Sequence, residues 1–384
     1  MLTSGISLIN FKKKITSPNI KKKLSFLIKT RNPIIDSLTK SYKYSYRKNT
    51  IKTYQKFMNY RVIAMGGSIL GTQTIYEFLQ HKIKKKFLFI NNLQNIEKKH
   101  RKNKYLNLVV SKSGNTTETI VNFNILTNNN EKNIFITENK QNYLNTMAKK
   151  LKSEIVHHNN YIGGRYSVLS EVGMLPAELM GLKPNQFKQF DSLVKNKKFI
   201  NSLINSVGNT LYFIKKRKFN SIIINYDERS ESLFKWYQQL IAESLGKKNT
   251  GLLPIVSCMP KDNHSVMQLY LDGFKNNFFT FFYSHEKKSD KIKNSKILSS
   301  QNYLKNKNIS DVIYAQKKAT ENVFNKKKIP FRSFEINRRD EKTLGELFTF
   351  FILETILLGR CLDLNPFDQP SVELIKKETK RILL

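Results

Sequence analysis

The sequence predicts an α/β protein built from two tandem, doubly wound parallel sheets, with helices at both termini. Three observations carry that prediction. Short apolar runs recur at spacings of about 25 residues, each of strand length. Stretches with helical character fill the gaps between them, the alternation expected of a parallel sheet covered on both faces. The whole pattern then restarts past residue 200, without an obvious internal sequence repeat.

Residues 1–55 are basic and polar with few dense apolar runs, and are expected to hold a short helix or two in a loose arm. From Arg61 the texture changes. VIAM (62–65) reads as a strand closed by Gly66-Gly67-Ser68, and FLFI (87–90), LNLVV (106–110) and NIFIT (133–137) follow. Helices are expected over 72–80 and 117–126. The second unit opens on the strand SIIINY (221–226) and the helix 231–245, then LPIVS (253–257), FFTFFY (278–283) and a last strand FEI (334–336). The Lys- and Asn-rich stretch 286–309 reads as a solvated insertion. A long apolar helix over 341–358 and a terminal one over 370–384 complete the chain. In such sheets ligands bind beyond the carboxyl ends of the strands.

A chain of 384 residues suggests two domains, and 40% hydrophobic residues excludes full disorder. No run reaches the roughly 18 apolar residues of a membrane helix. The best candidate, 347–358, is short and contains Glu354. Lys12, Lys13 and Lys14 are followed by no apolar segment with a small-residue cleavage site, so no signal peptide is expected. Cys258 and Cys361 cannot form a disulfide framework, which points to a reducing, cytoplasmic compartment. The formal charge, 67 basic less 29 acidic residues, is +38. Alone it would suggest nucleic acid. The same chain has 41 asparagines and 6 alanines, so a bias toward A/T-rich codons explains the lysines as well. Neither a nucleic-acid nor a membrane partner is expected; an anionic substrate would be drawn by the field.

After LNLVV comes Ser111-Lys112-Ser113-Gly114-Asn115-Thr116-Thr117-Glu118-Thr119, then a helix. Hydroxyls and free backbone N–H groups at a helix start suit an anion, and Gly114 permits a tight loop. The competing reading is ordinary capping, with Asn115 and Glu118 as a capping-box-like pair. The spacing is not that of a nucleotide P-loop. Gly66-Gly67-Ser68 is a second candidate, or a plain strand-to-helix turn.

SKSGNTTET resembles the phosphosugar loop of sugar isomerase (SIS) domains. With MGGSILG (65–71), GGRYSVLSEVG (163–173), ESLGK (243–247), DNHS (262–265) and NPFDQPSVELIK (365–376), the chain resembles the phosphoglucose isomerase family, in family order from about residue 61 to 377. The resemblance implies two SIS, flavodoxin-like α/β/α sandwiches. It sets a basic N-terminal segment (1–55), a first SIS domain with the phosphate loop (56–200), a second (201–340), and C-terminal helices completing the active site (341–384). It also implies interconversion of glucose 6-phosphate and fructose 6-phosphate in glycolysis and gluconeogenesis, by ring opening and a cis-enediol, in a homodimer with no metal or redox cofactor.

Glu243 sits in the last turn of its helix, at the edge of a stripe made by Trp236, Tyr237, Leu240, Ile241 and Ser244, with Gly246 expected to end the helix. A carboxylate there faces the negative end of the helix dipole, which is locally unfavourable. A surface glutamate is the bland reading; the resemblance makes it the base that moves a proton between C2 and C1. Of six histidines (His81, His100, His157, His158, His264, His285), none forms a convincing metal pair. The resemblance gives His264 ring opening, donated across the dimer interface. It gives Lys376 the same task, with Lys377 beside it as the competing assignment. Arg165, after two glycines, is read as a turn arginine or, by resemblance, as stabiliser of the enediolate. The resemblance further implies that Gly164 adds its backbone, that Gln239 and Gln369 contact substrate, and that Ser111, Ser113, Thr116, Gly67 and Ser68 contact phosphate. Lys112 lies in the loop. Two alternatives stay open: an isomerase also accepting mannose 6-phosphate, and a non-catalytic SIS sugar-phosphate sensor.

Overall fold

A computed structural model describes residues 1–93, 104–128, 130–286 and 288–384. Two five-stranded sheets organise them. In the first, β2 (Asn59–Ala64), β3 (Lys86–Ile90), β4 (Leu106–Val110), β5 (Lys132–Glu138) and β6 (Glu154–His158) are all parallel, in the order β3-β2-β4-β5-β6. In the second, β7 (Asn220–Asn225), β8 (Leu253–Cys258), β9 (Asn277–Ser284) and β10 (Phe331–Ile336) are parallel, in the order β10-β9-β7-β8. An N-terminal strand, β1 (Ile6–Ile9), adds antiparallel to β10, pairing Ile6 with Ile336. Each parallel sheet winds outward from its first strand in both directions, so the two-unit doubly wound reading stands. Central strands are covered on both faces, which is why β4 and β9 are buried at every position.

The expected strands all form: 106–110 matches at both ends, the first and the SIIINY strands start earlier and stop one residue short, and the others are longer by one to three residues. The edge strand β6 had no prediction, because its sequence EIVHH is polar, as an edge tolerates. The helices used below are α1 (Pro18–Lys29), α2 (Pro33–Ser37), α3 (Lys48–Tyr54), α4 (Gly67–Phe78), α5 (Thr117–Leu126), α6 (Tyr143–Lys150), α7 (Glu171–Leu179), α8 (Lys197–Lys215), α9 (Glu231–Leu245), α10 (Ile309–Lys326), α11 (Glu341–Cys361) and α12 (Val372–Leu383).

Two expectations are corrected. The first 55 residues are not a loose arm. Leu2, Ile6, Phe11, Ile20, Leu24, Leu27 and Ile35 are buried in the main core, and β1 extends the second sheet. Their apolar residues are spaced for one face each of a strand and short helices, so no dense run betrays them. The first helix of the first unit starts at Gly67, five residues before the expected 72, because Gly66 makes the turn alone at φ +52°. The stretch 286–309 is mostly exposed, as a solvated insertion should be; residue 287 lies outside the described residues.

α11 lies at the centre of the molecule. Every residue from Thr343 to Gly359 is buried, and the helix packs on α1, α8 and α9. Its polar Glu354 is held by Arg332 of β10. Among the described residues no helix is long and apolar enough to cross a membrane.

Candidate active site

In the first sheet the winding reverses between β2 and β4, which puts a crevice at their carboxyl ends. The two loops that leave those ends are Gly66–Ser68 and Ser111–Thr116. Each runs directly into a helix, α4 and α5, and no side chain caps either one. The capping reading of Asn115 therefore does not hold. Thr116 takes the N-cap position, and Asn115 Oδ1 instead accepts from the N–H of Tyr143 at 3.0 Å. Two helix N-termini with uncapped N–H groups side by side favour an anion.

The second loop is shaped from within. Ser111 and Thr116 hydroxyls are 2.8 Å apart, and Ser111 Oγ accepts from Gly114 N at 3.1 Å. Gly114 has φ +68°, and a Cβ there would lie 2.0 Å from Asn142 Oδ1, so the position requires glycine. Ser113 is exposed and Ser111 buried. Burial pushes the Lys112 ammonium down; nearby Glu138 opposes that shift, while the positive charges of Lys140 and Arg165 add to it.

Arg165 is the hub. It is 1% exposed, on a short 3-10 turn, Gly164–Leu169, and its guanidinium is bonded on every nitrogen. Nε donates to Ser244 Oγ at 2.8 Å. Nη1 donates to Glu243 Oε2 at 3.1 Å and to Gln369 Oε1 at 2.6 Å. Nη2 donates to the carbonyls of Pro366 and Asp368 at 2.8 and 3.0 Å. Its own carbonyl accepts from Trp236 Nε1 at 3.0 Å. One side chain thus joins the first unit, the helix α9 and the C-terminal stretch.

Glu243 stands where the α9 pattern placed it. Trp236, Tyr237, Leu240, Ile241 and Ser244 are buried, Gly246 follows the helix, and the Glu243 side chain keeps 28% of its surface open. Its second oxygen accepts from Gln239 Nε2 at 2.8 Å. Gln239 Oε1 is buried with no hydrogen-bond partner among the described residues, an acceptor left for a ligand hydroxyl. The loop Gly66–Ser68 closes the set. A Cβ on Gly67 would meet the Gly164 carbonyl carbon at 2.3 Å and Arg165 N at 2.4 Å, so glycine lets the two backbones touch.

The fold brings together Arg165, Gly164, Glu243, Gln239, Gln369, Gly67 and Ser68, with Ser111, Lys112, Ser113 and Thr116 in the neighbouring loop. His264 and Lys376 make no hydrogen bond or ion pair with this set. His264 is exposed on a short 3-10 turn, Lys261–His264, after β8, and no hydrogen bond or ion pair ties it to Arg165 or Glu243. Lys376 pairs with Glu373 at 2.6 Å on α12, a helix with no buried residue. Ser244, Trp236 and Tyr166, whose hydroxyl meets Ser244 Oγ at 2.8 Å, were not anticipated as supports of Arg165. Ser244 had a signal, since it adjoins Glu243 in ESLGK; Trp236 and Tyr166 look like core residues in any sequence reading. Chemically, the arrangement couples a carboxylate that can take a proton to a fixed positive charge, beside a cradle for an anion. Among the described residues no group of three or more His, Cys, Asp or Glu is placed to hold a metal ion.

A sequence model of the family described as phosphoglucose isomerase matches residues 35–384. The glucose-6-phosphate isomerase of Methanocaldococcus jannaschii is 32% identical over 356 residues, covering 86% of each chain. That of Mycoplasmopsis pulmonis is 31% identical over 350 residues, covering 84% of this chain and 82% of the relative. The crystal structure of a glucose-6-phosphate isomerase from Chlamydia trachomatis superposes with a TM-score of 0.77 at 17% identity, covering 99% of this chain and 89% of that one.

Proposed function

The chain belongs to the phosphoglucose isomerase family, and we propose how its residues carry the reaction. It is an aldose–ketose isomerase that interconverts glucose 6-phosphate and fructose 6-phosphate. In our reading, Ser111, Ser113 and Thr116, with Gly67 and Ser68, anchor the phosphate at the paired helix starts. Lys112 adds positive charge there. Glu243 takes the proton from one carbon and returns it to the other, through a cis-enediol. Arg165 and the backbone of Gly164 stabilise the negative charge that builds on the enediol oxygens. Gln239 and Gln369 orient sugar hydroxyls. No step calls for a metal or redox cofactor.

The single observation that carries this reading is the Nη1 bridge from a buried Arg165 to both Glu243 and Gln369. It sets the positive charge beside the base, where an enediolate needs it. The exposed position of His264 and the uncovered helix of Lys376 support a homodimer in which His264 opens the sugar ring in the neighbouring subunit and Lys376 assists. We place the enzyme in the cytoplasm. We divide it into a segment 1–55, SIS units 56–200 and 201–340, and a C-terminal part 341–384 whose Gln369 reaches Arg165.

The test is conversion of fructose 6-phosphate to glucose 6-phosphate by wild type and Glu243→Gln in parallel. Loss of about three orders of magnitude or more in kcat in a folded variant is expected, in line with removal of a general base. Equal rates would remove Glu243 from the role. Dilution through the dimer dissociation range should abolish activity in step with dissociation; a fully active monomer would refute the shared site.

A further inference from the structure

The turn that carries Arg165 is held from behind by a buried lysine. Lys188 is 2% exposed. Its ammonium donates to the carbonyl of Leu169, the last residue of the Gly164–Leu169 turn, and to the carbonyl of Ser37, the last residue of α2. The rings of Tyr42 and Tyr44 stand 5.1 and 5.0 Å from the nitrogen, which gives the charge two π faces in place of water. Burial pushes this ammonium down to about 7, with Glu171 opposing the shift. A lysine this buried is rare unless its ammonium is paired, as this one is.

The turn itself transmits the hold. Arg165 to Ser170 are all buried. Ser167 Oγ donates to Gly164 O at 2.7 Å and Ser170 Oγ to Ser167 O at 2.8 Å, which ties the two ends of the segment together. Its front face rests on α4: Gly67 touches Gly164 and Arg165, and a Cβ on Gly71 would lie 2.7 Å from Val168. Its two flanks carry buried ionisable groups. His158 Nε2 lies 2.9 Å from Ile162 O, just before the two glycines. Glu171, just after the turn, accepts from Tyr42 Oη at 2.9 Å and faces His158 Nδ1 at 3.4 Å.

We propose that Lys188 is a positioning residue for the isomerisation: by tying Leu169 to Ser37 it presses the turn against α4 and fixes the angle at which Gly164 and Arg165 meet the enediolate. The inference rests on the role given to Arg165 above. It extends the working site to a residue that touches no substrate, and makes the N-terminal segment part of the catalytic frame. Glu243 and the Ser111–Thr116 loop lie on other elements, so Lys188 acts first on the charge-stabilising side of the site and reaches phosphate anchoring only through the Gly67–Ser68 start of α4.

The experiment compares wild type, Lys188→Met and Arg165→Ala in steady-state kinetics, and in binding of a planar anionic enediolate mimic, an aldonate phosphate hydroxamate. For Lys188→Met the expected result is a loss of about 10- to 100-fold in kcat, the scale of a displacement of about 1 Å at a catalytic group. KM should stay within about threefold, and the mimic's affinity should fall in parallel with kcat. Lys188→Arg, which keeps a cationic donor, should recover part of the loss. If Lys188→Met does not fold, Glu171→Gln is read instead, with a smaller loss of kcat and the same split. A folded variant whose kcat and mimic affinity match wild type, with only its melting temperature lowered, overturns the proposal. Impaired Arg165→Ala with normal Lys188→Met overturns this inference alone. A fully active Arg165→Ala overturns the Arg165 role, and this proposal with it.

Discussion

At the residue scale, the site depends on two backbones that touch. Gly67 lies against Gly164 and Arg165 with no room for one more carbon, and the atoms in the way are main chain, which cannot rotate aside. Gly67→Ala therefore has to move the α4 start or the Arg165 turn. We expect a stability loss of about 1–3 kcal/mol, the scale of overpacking, and a fall of at least about tenfold in kcat/KM. Thermal melting and steady-state kinetics on one preparation check both. The sequence made this glycine a candidate, because a Gly-Gly-Ser turn after a strand is a known setting for an anion. It did not reveal the reason, since the atoms it avoids lie almost a hundred residues along the chain. Arg165 shows the same limit. Two glycines before an arginine read equally well as an exposed turn, and only the packing of Ser244, Trp236 and the Pro366–Asp368 carbonyls makes it a buried hub.

At the element scale, strands and helices were legible wherever burial imposes a pattern. α5 and α9 begin and end at the expected residues, and the central strands appear as unbroken apolar runs. Elements that escaped are the strands β1 and β6, short or at an edge, and the helices α6, α7, α8 and α10; in the N-terminal segment one or two helices are expected and three form. The long helix α11 was read as apolar, but its Glu354 looked like an exception. It is the partner of Arg332, which binds both its oxygens while Tyr237 stands at 3.4 Å. Both charges are buried, at 1% and 2% exposure. Glu354→Ala strands the guanidinium and should cost about 3–5 kcal/mol, whereas replacing both residues with apolar ones should cost far less. Urea unfolding of the single and double variants decides it.

At the scale of the whole molecule, a chain of charge +38 is held together partly by acidic residues placed among its lysines. Glu335 is one such group. Burial alone would raise its carboxyl, but the hydrogen bonds and the charges of Lys317 and Lys318 together outweigh burial and hold it at about 2, below the ordinary 4.5. Its contribution is full above the ordinary value and is lost as pH falls through the folded one. Melting temperature should fall between about pH 4.5 and 2. Glu335→Gln should flatten that part of the profile, by about 1–2 kcal/mol after allowing for solvent screening. The sequence by itself determined the two sheets, their central strands, the anion-ready loops and the residues worth testing, because periodic burial and turn chemistry are local and write themselves into neighbouring positions. Only the tertiary structure decided that Arg165 is the hub, that the N-terminal segment is core, and that His264 and Lys376 make no hydrogen bond or ion pair with Arg165 or Glu243. Those outcomes depend on contacts between residues far apart in sequence, and spacing along the chain carries no record of which distant groups close packing will bring together.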